Sequence, residues 1–160
     1  MRHAARRRQH DGRVADLTDL VRLLTAEHGL AVVSLARGEG SVVASVVNAG
    51  LLAHPVSGVG VIGFVARGDA AKLRRLRRRP LATVTARSGW EWVTAEGPVD
   101  LAGPDDPLGA VEVRTLLRQV FRAAGGTHED WDEFDRVMGA EGRAAVLVRP
   151  ERVYGVVRPG

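Results

Sequence analysis

Hydrophobic residues along the chain recur at two different spacings. Leu17, Leu20, Val21 and Leu24 repeat at helical spacing after Asp16, which can cap a helix that Gly29 would end. Elsewhere, β-branched runs between glycines predict strands at Leu30–Ala36, Val42–Val47, Val59–Ala66, Leu81–Ala86 and Trp90–Leu101. The first two strands are predicted to be antiparallel, because the turn between them is too short for a crossover.

Three further helices are predicted from breaks in this strand pattern. Asp69 is expected to open a short basic helix that Pro80 stops, since a proline disfavours helix in the residue before it. Helical spacing of apolar residues predicts another helix over Val111–Ala124. Thr127, with Asp130 three residues later, predicts a capped helix after it.

The chain ends in apolar segments that predict a last strand. Ala144–Val148 and Val153–Val157 form this strand, which we expect to be bent or interrupted at Pro150. Six strands with few short helices predict a mainly β fold, an antiparallel barrel with peripheral helices. Residues 1–13 lack apolar periodicity and predict a disordered basic arm before a single domain over residues 14–160.

Composition narrows the class of protein. The chain is 45% hydrophobic and 26% charged, as is typical of globular domains. It has no cysteine, which excludes disulfides, cysteine-based zinc sites and a thiol nucleophile. No apolar run approaches the ~18–20 residues that span a membrane, and the basic N-terminus lacks the apolar stretch of a secretory signal. We therefore expect a cytoplasmic protein that does not bind membranes.

The basic residues are unevenly distributed. The net charge is +4, with 22 arginines and a single lysine, Lys72. They cluster in the first thirteen residues and over Lys72–Arg79, whereas the segment HEDWDEFD is acidic. This pattern favours local anion sites over one basic face. Nucleic-acid binding is the weaker interpretation, because no aromatic residues interleave with the arginines for base stacking.

Side-chain constellations for catalysis are missing from the sequence. It contains no HExxH, GxSxG, Walker A or GxGxxG pattern. The five histidines lie in separate elements without metal-ligand spacing, so no metal site is expected. Neither Ser41 nor Ser45 has a histidine nearby in sequence. An enzyme of this kind would need a cofactor to supply the chemistry.

The strongest local feature is a strand, a turn and a basic helix over Phe64–Leu76. The start of a helix presents free backbone N–H groups and the positive end of its dipole, which favour a phosphate. Arg67 precedes this helix and Lys72 lies in its first turn, where a point charge can meet that phosphate. The alternative interpretation is a solvated basic face.

Several motifs together resemble a known family. They are Ser41–Asn48 (SVVASVVN), Lys72–Pro80 (KxxxLRxxP), Trp90–Gly97 (WxWVxxEG) and Ala144–Gly155 (AAVLVRPERVYG). Their order and spacing, over about residues 16–157, resemble the pyridoxamine 5′-phosphate oxidase-like split β-barrels. More narrowly, they are similar to the F420-dependent (deazaflavin) oxidoreductases of actinobacteria. The resemblance implies a six-stranded Greek-key split barrel.

The resemblance also implies a homodimer with two sites in the grooves between subunits. The tricyclic ring of the cofactor is expected along the strand Ser45, Val46, Val47 and Asn48. Its tail would follow Phe64, Val65, Ala66 and Arg67, with the phosphate at the helix start near Lys72. The partner subunit would close the groove with the strand that here carries Trp92 and Thr94.

One departure from the family bears on the cofactor. Its flavin-using oxidases hold the phosphate with a Ser-Arg-Lys triplet, where this chain has Ala70-Ala71-Lys72. Two of the three groups are therefore missing, although Arg67 and Arg75 are candidates to replace them. The sequence thus predicts an F420-dependent oxidoreductase that transfers a hydride to a small conjugated or heterocyclic substrate. FMN is the alternative cofactor, and an FMN- or haem-binding protein without turnover is the alternative function.

Three features remain open between packing and function. Trp90 and Trp92 share one face of a strand with Thr94, where they serve either the core or dimer interface or the cofactor. Asn48 is either a turn residue or a hydrogen-bond donor to the ring. Trp131 and Phe134 either anchor a helix over the barrel or belong to a lid that brings His128 to the cleft. No side chain is assigned as a catalytic acid.

Overall fold

The computed structural model describes residues 13–159. Its helices are α1 (Leu17–Ala26), α2 (Ala71–Arg78), α3 (Val113–Ala123) and α4 (Trp131–Ala140). Its strands are β1 (Leu30–Ala36), β2 (Val42–Ala53), β3 (Gly60–Ala66), β4 (Leu81–Ser88), β5 (Glu91–Ala102), β6 (Ala144–Val148) and β7 (Arg152–Val156).

Six of the strands close into an antiparallel barrel in the order β4-β1-β2-β3-β6-β5, because β5 pairs back onto β4. The seventh, β7, extends the sheet beside β5. The predicted mainly β barrel with peripheral helices is confirmed. None of the helices in the described residues has the length and apolar character that crossing a membrane requires.

Two long strands are shared between the halves of the barrel. Residues 42–48 of β2 pair with β1, and residues 49–53 pair with β3. Similarly, β5 pairs with β4 over residues 91–98 and with β6 over residues 99–102. Gly97 lies at this change of partner, and a Cβ there would lie 1.8 Å from the carbonyl oxygen of Arg149. Only glycine therefore permits β5 to approach so closely.

The predicted interruption at Pro150 is confirmed. The amide of Arg149 donates to the carbonyl of Pro98, and the amide of Glu151 donates to the carbonyl of Glu96. Consequently β6 and β7 continue along the same edge of β5, on either side of a short break. Proline has no N–H to donate, so the break falls where the ladder loses a donor.

The protein has two hydrophobic cores, one inside the barrel and one between the barrel and its helical layer. Alternate residues of β1, β3, β4 and β6 point into the barrel, where Phe64 and Ile62 are fully buried. On the opposite side of β3 and β6, α3 and α4 pack through Leu116, Val120 and Phe134. The helical layer therefore covers one flank of the barrel beside β2.

Three local predictions are wrong. Asp130, rather than Thr127, caps α4, because its carboxylate accepts the amides of Asp132 and Glu133. The residue before α2 is Ala70, which has no side-chain acceptor, so Asp69 does not cap that helix. Trp90 lies in the turn before β5 with 88% of its surface exposed, and is not on a strand face with Trp92.

The predicted cap of α1 is confirmed. Asp16 accepts the amide of Asp19, and Asp19 accepts the amide of Asp16. Gly29 follows this helix with a φ of +80°. Of the predicted arm over residues 1–13, only Arg13 lies within the described residues, and it is bound to Asp19.

Candidate functional site

A groove opens where β2 leaves β3. The two strands pair only up to Ala49 and Phe64, after which β2 continues beside β1. The next outward-facing residues, Asn48 and Val65, line a cavity of about 340 Å³ beneath α3 and α4. Its other walls are His28, Val120, Phe121, Ala124, Gly125, Gly126, Phe134, Met138 and Arg143. This volume is within the range of small-molecule sites.

Strand alternation divides the predicted cofactor residues into two sets. Val46, Asn48, Val65 and Arg67 are on the outer side of the barrel, and Asn48 and Val65 are at the groove. Val47, Phe64 and Ala66 are buried in the barrel core, so only their backbone is available to a ligand. Ser45 is the inward neighbour of Val33 on β1 and is half-buried. The structure thus brings two of these side chains, Asn48 and Val65, together at the cavity.

Lys72 is a partly desolvated cation at the start of α2. Its ammonium lies 5.7 Å from the centre of the Phe64 ring. Burial lowers the pKa of Lys72 below its ordinary value, since leaving water disfavours the charged form. Within residues 13–159, no carboxylate lies within ion-pair distance of it. Together with the uncapped amides of α2, it offers an uncompensated positive charge to an anion.

The neighbouring arginines are more fully compensated. Arg67 pairs with Asp69 at 3.4 Å in an exposed position. Arg75 lies toward the β1–β2 turn, which contains Glu39. The pKa of Glu39 is lowered chiefly by a hydrogen bond from Ser41, and the charge of Arg75 lowers it to a lesser degree. Arg67 is more exposed than Lys72 and paired with a carboxylate, and the charge of Arg75 acts on Glu39. Lys72 is therefore the strongest anion-binding candidate of the three.

Sequence reasoning did not identify Arg143, which also lines the cavity. It follows α4 and comes opposite Arg67, because Ala66 and Ala144 pair in the β3–β6 ladder. Its Nε donates to Glu141 at 2.6 Å. No local pattern marks this residue, since it reaches the groove only through strand pairing between distant segments.

Asn48 lies within β2, so its interpretation as a turn residue is wrong, and its donation to a cofactor ring stays a prediction. Its amide nitrogen donates to the main-chain carbonyl of His28 at 3.2 Å, and His28 has a φ of +55°. The side chain therefore holds the turn before β1 in place. It also forms part of the cavity wall, where it can contact a ligand.

Trp92 and Thr94 lie on the outer face of β5 and do not line this cavity. Thr94 is buried and shares a hydrogen bond of 2.7 Å with the hydroxyl of Thr85. The indole of Trp92 packs edge-on against Tyr154, with the ring centres 6.1 Å apart. Contact between these residues and a ligand in the groove would thus require a second subunit.

The aromatic residues of α4 hold that helix to α3. Phe134 is buried against Phe121, with ring centres 5.0 Å apart. The guanidinium of Arg122 lies 4.3 Å from the centre of the Trp131 ring. His128 accepts the amide of Asp130 and does not line the cavity. These contacts favour the anchor interpretation, with Phe134 forming part of the cavity wall.

Known structures share this fold at low sequence identity, and no family model matches the chain. A pyridoxamine 5′-phosphate oxidase-related, FMN-binding protein from Nostoc punctiforme is 10% identical, with a TM-score of 0.56 over 86% of this chain and 80% of that one. An F420 reductase is 15% identical, with a TM-score of 0.52 over 78% and 87% of the two chains.

A haem-binding protein from Mycobacterium smegmatis is also similar. It is 18% identical, with a TM-score of 0.57 over 89% of this chain and 54% of that one. The fold is therefore the split β-barrel found in pyridoxamine 5′-phosphate oxidase-like proteins. Since the fold alone is shared at these identities, function must be argued from the groove.

Proposed function

We propose that the chain binds a flavin-type cofactor, most specifically F420, and reduces a small conjugated or heterocyclic substrate with it. The observation that carries this proposal is Lys72, a half-buried ammonium at the start of α2 that lies over Phe64 of β3 and has no carboxylate partner among the described residues. Such a cofactor supplies the hydride when it is bound. The chain's own residues bind and orient it.

The start of α2 and the groove offer groups that fit the two ends of such a cofactor. Lys72 and the free amides of α2 would hold the anionic tail, with Arg67 next to them. Val46, Asn48 and Val65 offer a mostly apolar surface for the ring. Burial against this surface would exclude water from one side of the ring.

The choice of F420 over FMN rests on the residues before Lys72. Ala70 and Ala71 carry no hydrogen-bonding side chain and Arg67 is paired with Asp69, so a terminal phosphate would find Lys72 as the one unpaired cation at the helix start among the described residues. A tight phosphate site normally combines several charge-assisted hydrogen bonds. F420, whose phosphate lies within a longer anionic tail, depends less on this single position.

We further propose that the active form is a homodimer. The sheet β2-β1-β4-β5-β7 presents exposed apolar side chains on its outer face, among them Val32, Val46, Tyr154 and Val156. Exposed patches of this kind mark interaction surfaces. Docking a second copy on this face would bring a second β5, with its tryptophan and threonine, toward the groove.

A second candidate function is haem binding without turnover. His28 and Met138 both line the cavity, and these two residue types are axial ligands of haem iron in proteins. The similarity to a haem-binding protein is consistent with this alternative. Haem binding would replace, rather than accompany, the proposed reductase activity.

Titration of the purified, cofactor-free chain with F420, FMN and haemin in parallel tests these proposals. Cofactor fluorescence reports the first two, and the Soret band reports the third. We expect F420 to bind in the micromolar range, and Lys72→Ala to weaken it by roughly tenfold or more, the loss of one charge-assisted contact. Arg78→Ala, an exposed arginine of the same helix, is the matched control and should leave the affinity unchanged.

Each alternative has its own result. Tighter binding of FMN than of F420 would assign the chain to the flavin-using proteins. A Soret shift that disappears in His28→Ala would support haem binding. If none of the three binds, the cofactor proposal is wrong.

A further inference from the structure

The cavity beneath α3 and α4 is lined by basic and apolar residues without a carboxylate. Its lining includes the guanidinium of Arg143 and the imidazole of His28, but no aspartate or glutamate. Apart from Asn48, the rest of the wall is apolar, with Phe121 and Phe134 as flat surfaces. The neighbouring cavity between α3 and α4, of about 470 Å³, is lined by Asp132 and Asp135 as well as by arginines.

Arg143 lies between the two cavities and contributes to the lining of both. Its side chain is only 26% exposed, and its Nε donates to Glu141 at 2.6 Å. Within residues 13–159, its two terminal nitrogens have no hydrogen-bond partner. These nitrogens form one edge of a planar fork, which matches the two oxygens of a carboxylate.

The aromatic wall is rigid. Phe121 and Phe134 pack against each other and against Trp131, which Arg118 and Arg122 flank. Arg118 in turn binds Asp135 with Nε at 2.9 Å. A flat ligand would thus meet preformed surfaces, which reduces the entropy lost on binding.

We propose that this cavity is the substrate site and takes a planar conjugated carboxylate, with Arg143 paired to the carboxylate and Phe121 against the conjugated part. The proposal rests on the proposed function, which places the cofactor at the mouth of the same cavity, near Asn48 and Val65. Arg143 then determines specificity for an acid over a neutral molecule of the same shape. Its counterpart Lys72 serves the cofactor.

Cinnamate, cinnamamide and cinnamyl alcohol are suitable probes, because they share a shape and differ in charge. We expect calorimetry on the cofactor-free chain to show cinnamate binding at least tenfold more tightly than either neutral analogue. Arg143→Gln should abolish this preference, and Arg143→Lys should restore part of it. Arg136→Gln, an exposed arginine of α4 outside this cavity, should retain the full preference.

Repeating the titration with the bound cofactor separates this inference from the proposed function. Binding of cinnamate without displacement of F420 supports a substrate site, whereas mutual displacement overturns it. Equal affinities for the three probes, or a preference that Arg143→Gln leaves intact, also overturn it. If cinnamate binds through Arg143 but no cofactor binds, the proposed function fails while the carboxylate site remains. Circular dichroism of each variant shows whether it is folded.

Discussion

Asp19 shows how one buried carboxylate links the start of the described chain to the first helix. Only 2% of its surface is exposed, yet it accepts the amide of Asp16 and is bound by Arg13. The hydrogen bond from Arg13 chiefly lowers the pKa of Asp19 below its ordinary value of 3.8. The carboxylate is therefore more favourable in the folded protein than in the unfolded chain.

This shift gives the stability a definite dependence on acid. A carboxyl whose pKa is lowered by folding stabilises the protein above its unfolded pKa, and this contribution is lost as the pH falls through the folded value. Asp19→Asn should cost about 1–2 kcal/mol at neutral pH, as for other disrupted helix caps. Urea unfolding between neutral pH and acid should show a smaller loss below about pH 4 in the variant than in the wild type. Equal acid losses would contradict this account.

His54 is a buried histidine with a structural role. Its Nδ1 accepts the amides of Val56 and Ser57, and its Nε2 lies 2.9 Å from a carboxylate oxygen of Asp100. Since Nδ1 accepts two hydrogen bonds, the proton is on Nε2, which donates to Asp100. The side chain thus ties the β2–β3 connection to β5, and Nδ1 has no lone pair left for a general base.

Two substitutions of His54 separate its two functions. The side-chain oxygen in His54→Asn can take the place of Nδ1, whereas the amide nitrogen in His54→Gln can take the place of Nε2. We expect the Gln variant to lose more stability, by about 1 kcal/mol, because it leaves the main-chain amides of Val56 and Ser57 without the acceptor that holds the β2–β3 connection. Chemical denaturation measures the difference. A greater loss in the Asn variant would instead make Asp100 the dominant partner.

At the scale of elements, the close packing of α3 on β2 shapes the cavity. A Cβ at Gly50 would lie 2.0 Å from the carbonyl oxygen of Ala123, a main-chain atom that cannot move without the helix. Gly50→Ala should therefore displace the end of α3 and destabilise the fold by about 1–3 kcal/mol.

Gly38 provides the matched control for this prediction. It lies in the β1–β2 turn with no atom within 4 Å of an added Cβ, and its φ is not positive. Gly38→Ala should be neutral or slightly stabilising. Thermal unfolding of both variants checks the comparison. Equal melting temperatures would show that α3 can shift away from β2 at little cost.

Gly50 also shows why β2 was predicted too short. The sequence Asn48-Ala49-Gly50 resembles the end of a strand, because asparagine and glycine commonly mark turns. The strand nevertheless continues to Ala53, since Gly50 provides space for α3 and does not end the ladder. Local patterns of apolar residues predicted the strands well where both neighbours are other strands. These patterns failed where a helix from a distant segment packs on the strand and determines which residue fits there.

The candidate site was predictable to a similar extent. Lys72 and Arg67 stand out locally, because a basic helix start follows a strand. Arg143 reaches the cavity only through the pairing of β3 with β6, and His28 only through the turn before β1. Neither relation is visible along the chain, so the cavity itself could not be predicted.

The molecule as a whole leaves an apolar face uncovered. Across β2, β1 and β4, Val46, Val32 and Thr85 form one row on the outer side, which Thr94 and Tyr154 continue on β5 and β7. Val32 is central in this row and 39% exposed, whereas Val56 in the β2–β3 connection is 64% exposed and lies outside it. Comparing substitutions of the two valines therefore shows whether an effect depends on a residue's exposure or on its position in this row.

We expect the wild-type chain to sediment at twice the mass of one chain, and Val32→Asp to sediment as a folded monomer. A charge buried in a dimer interface is costly without a partner, while the same charge on a free surface is not. Val56→Asp should remain dimeric although its valine is the more exposed. Since the partner's β5 would close the groove, Val32→Asp should also weaken F420 binding. A monomeric wild type, or a dimeric Val32→Asp variant with full affinity, would contradict the proposed dimer.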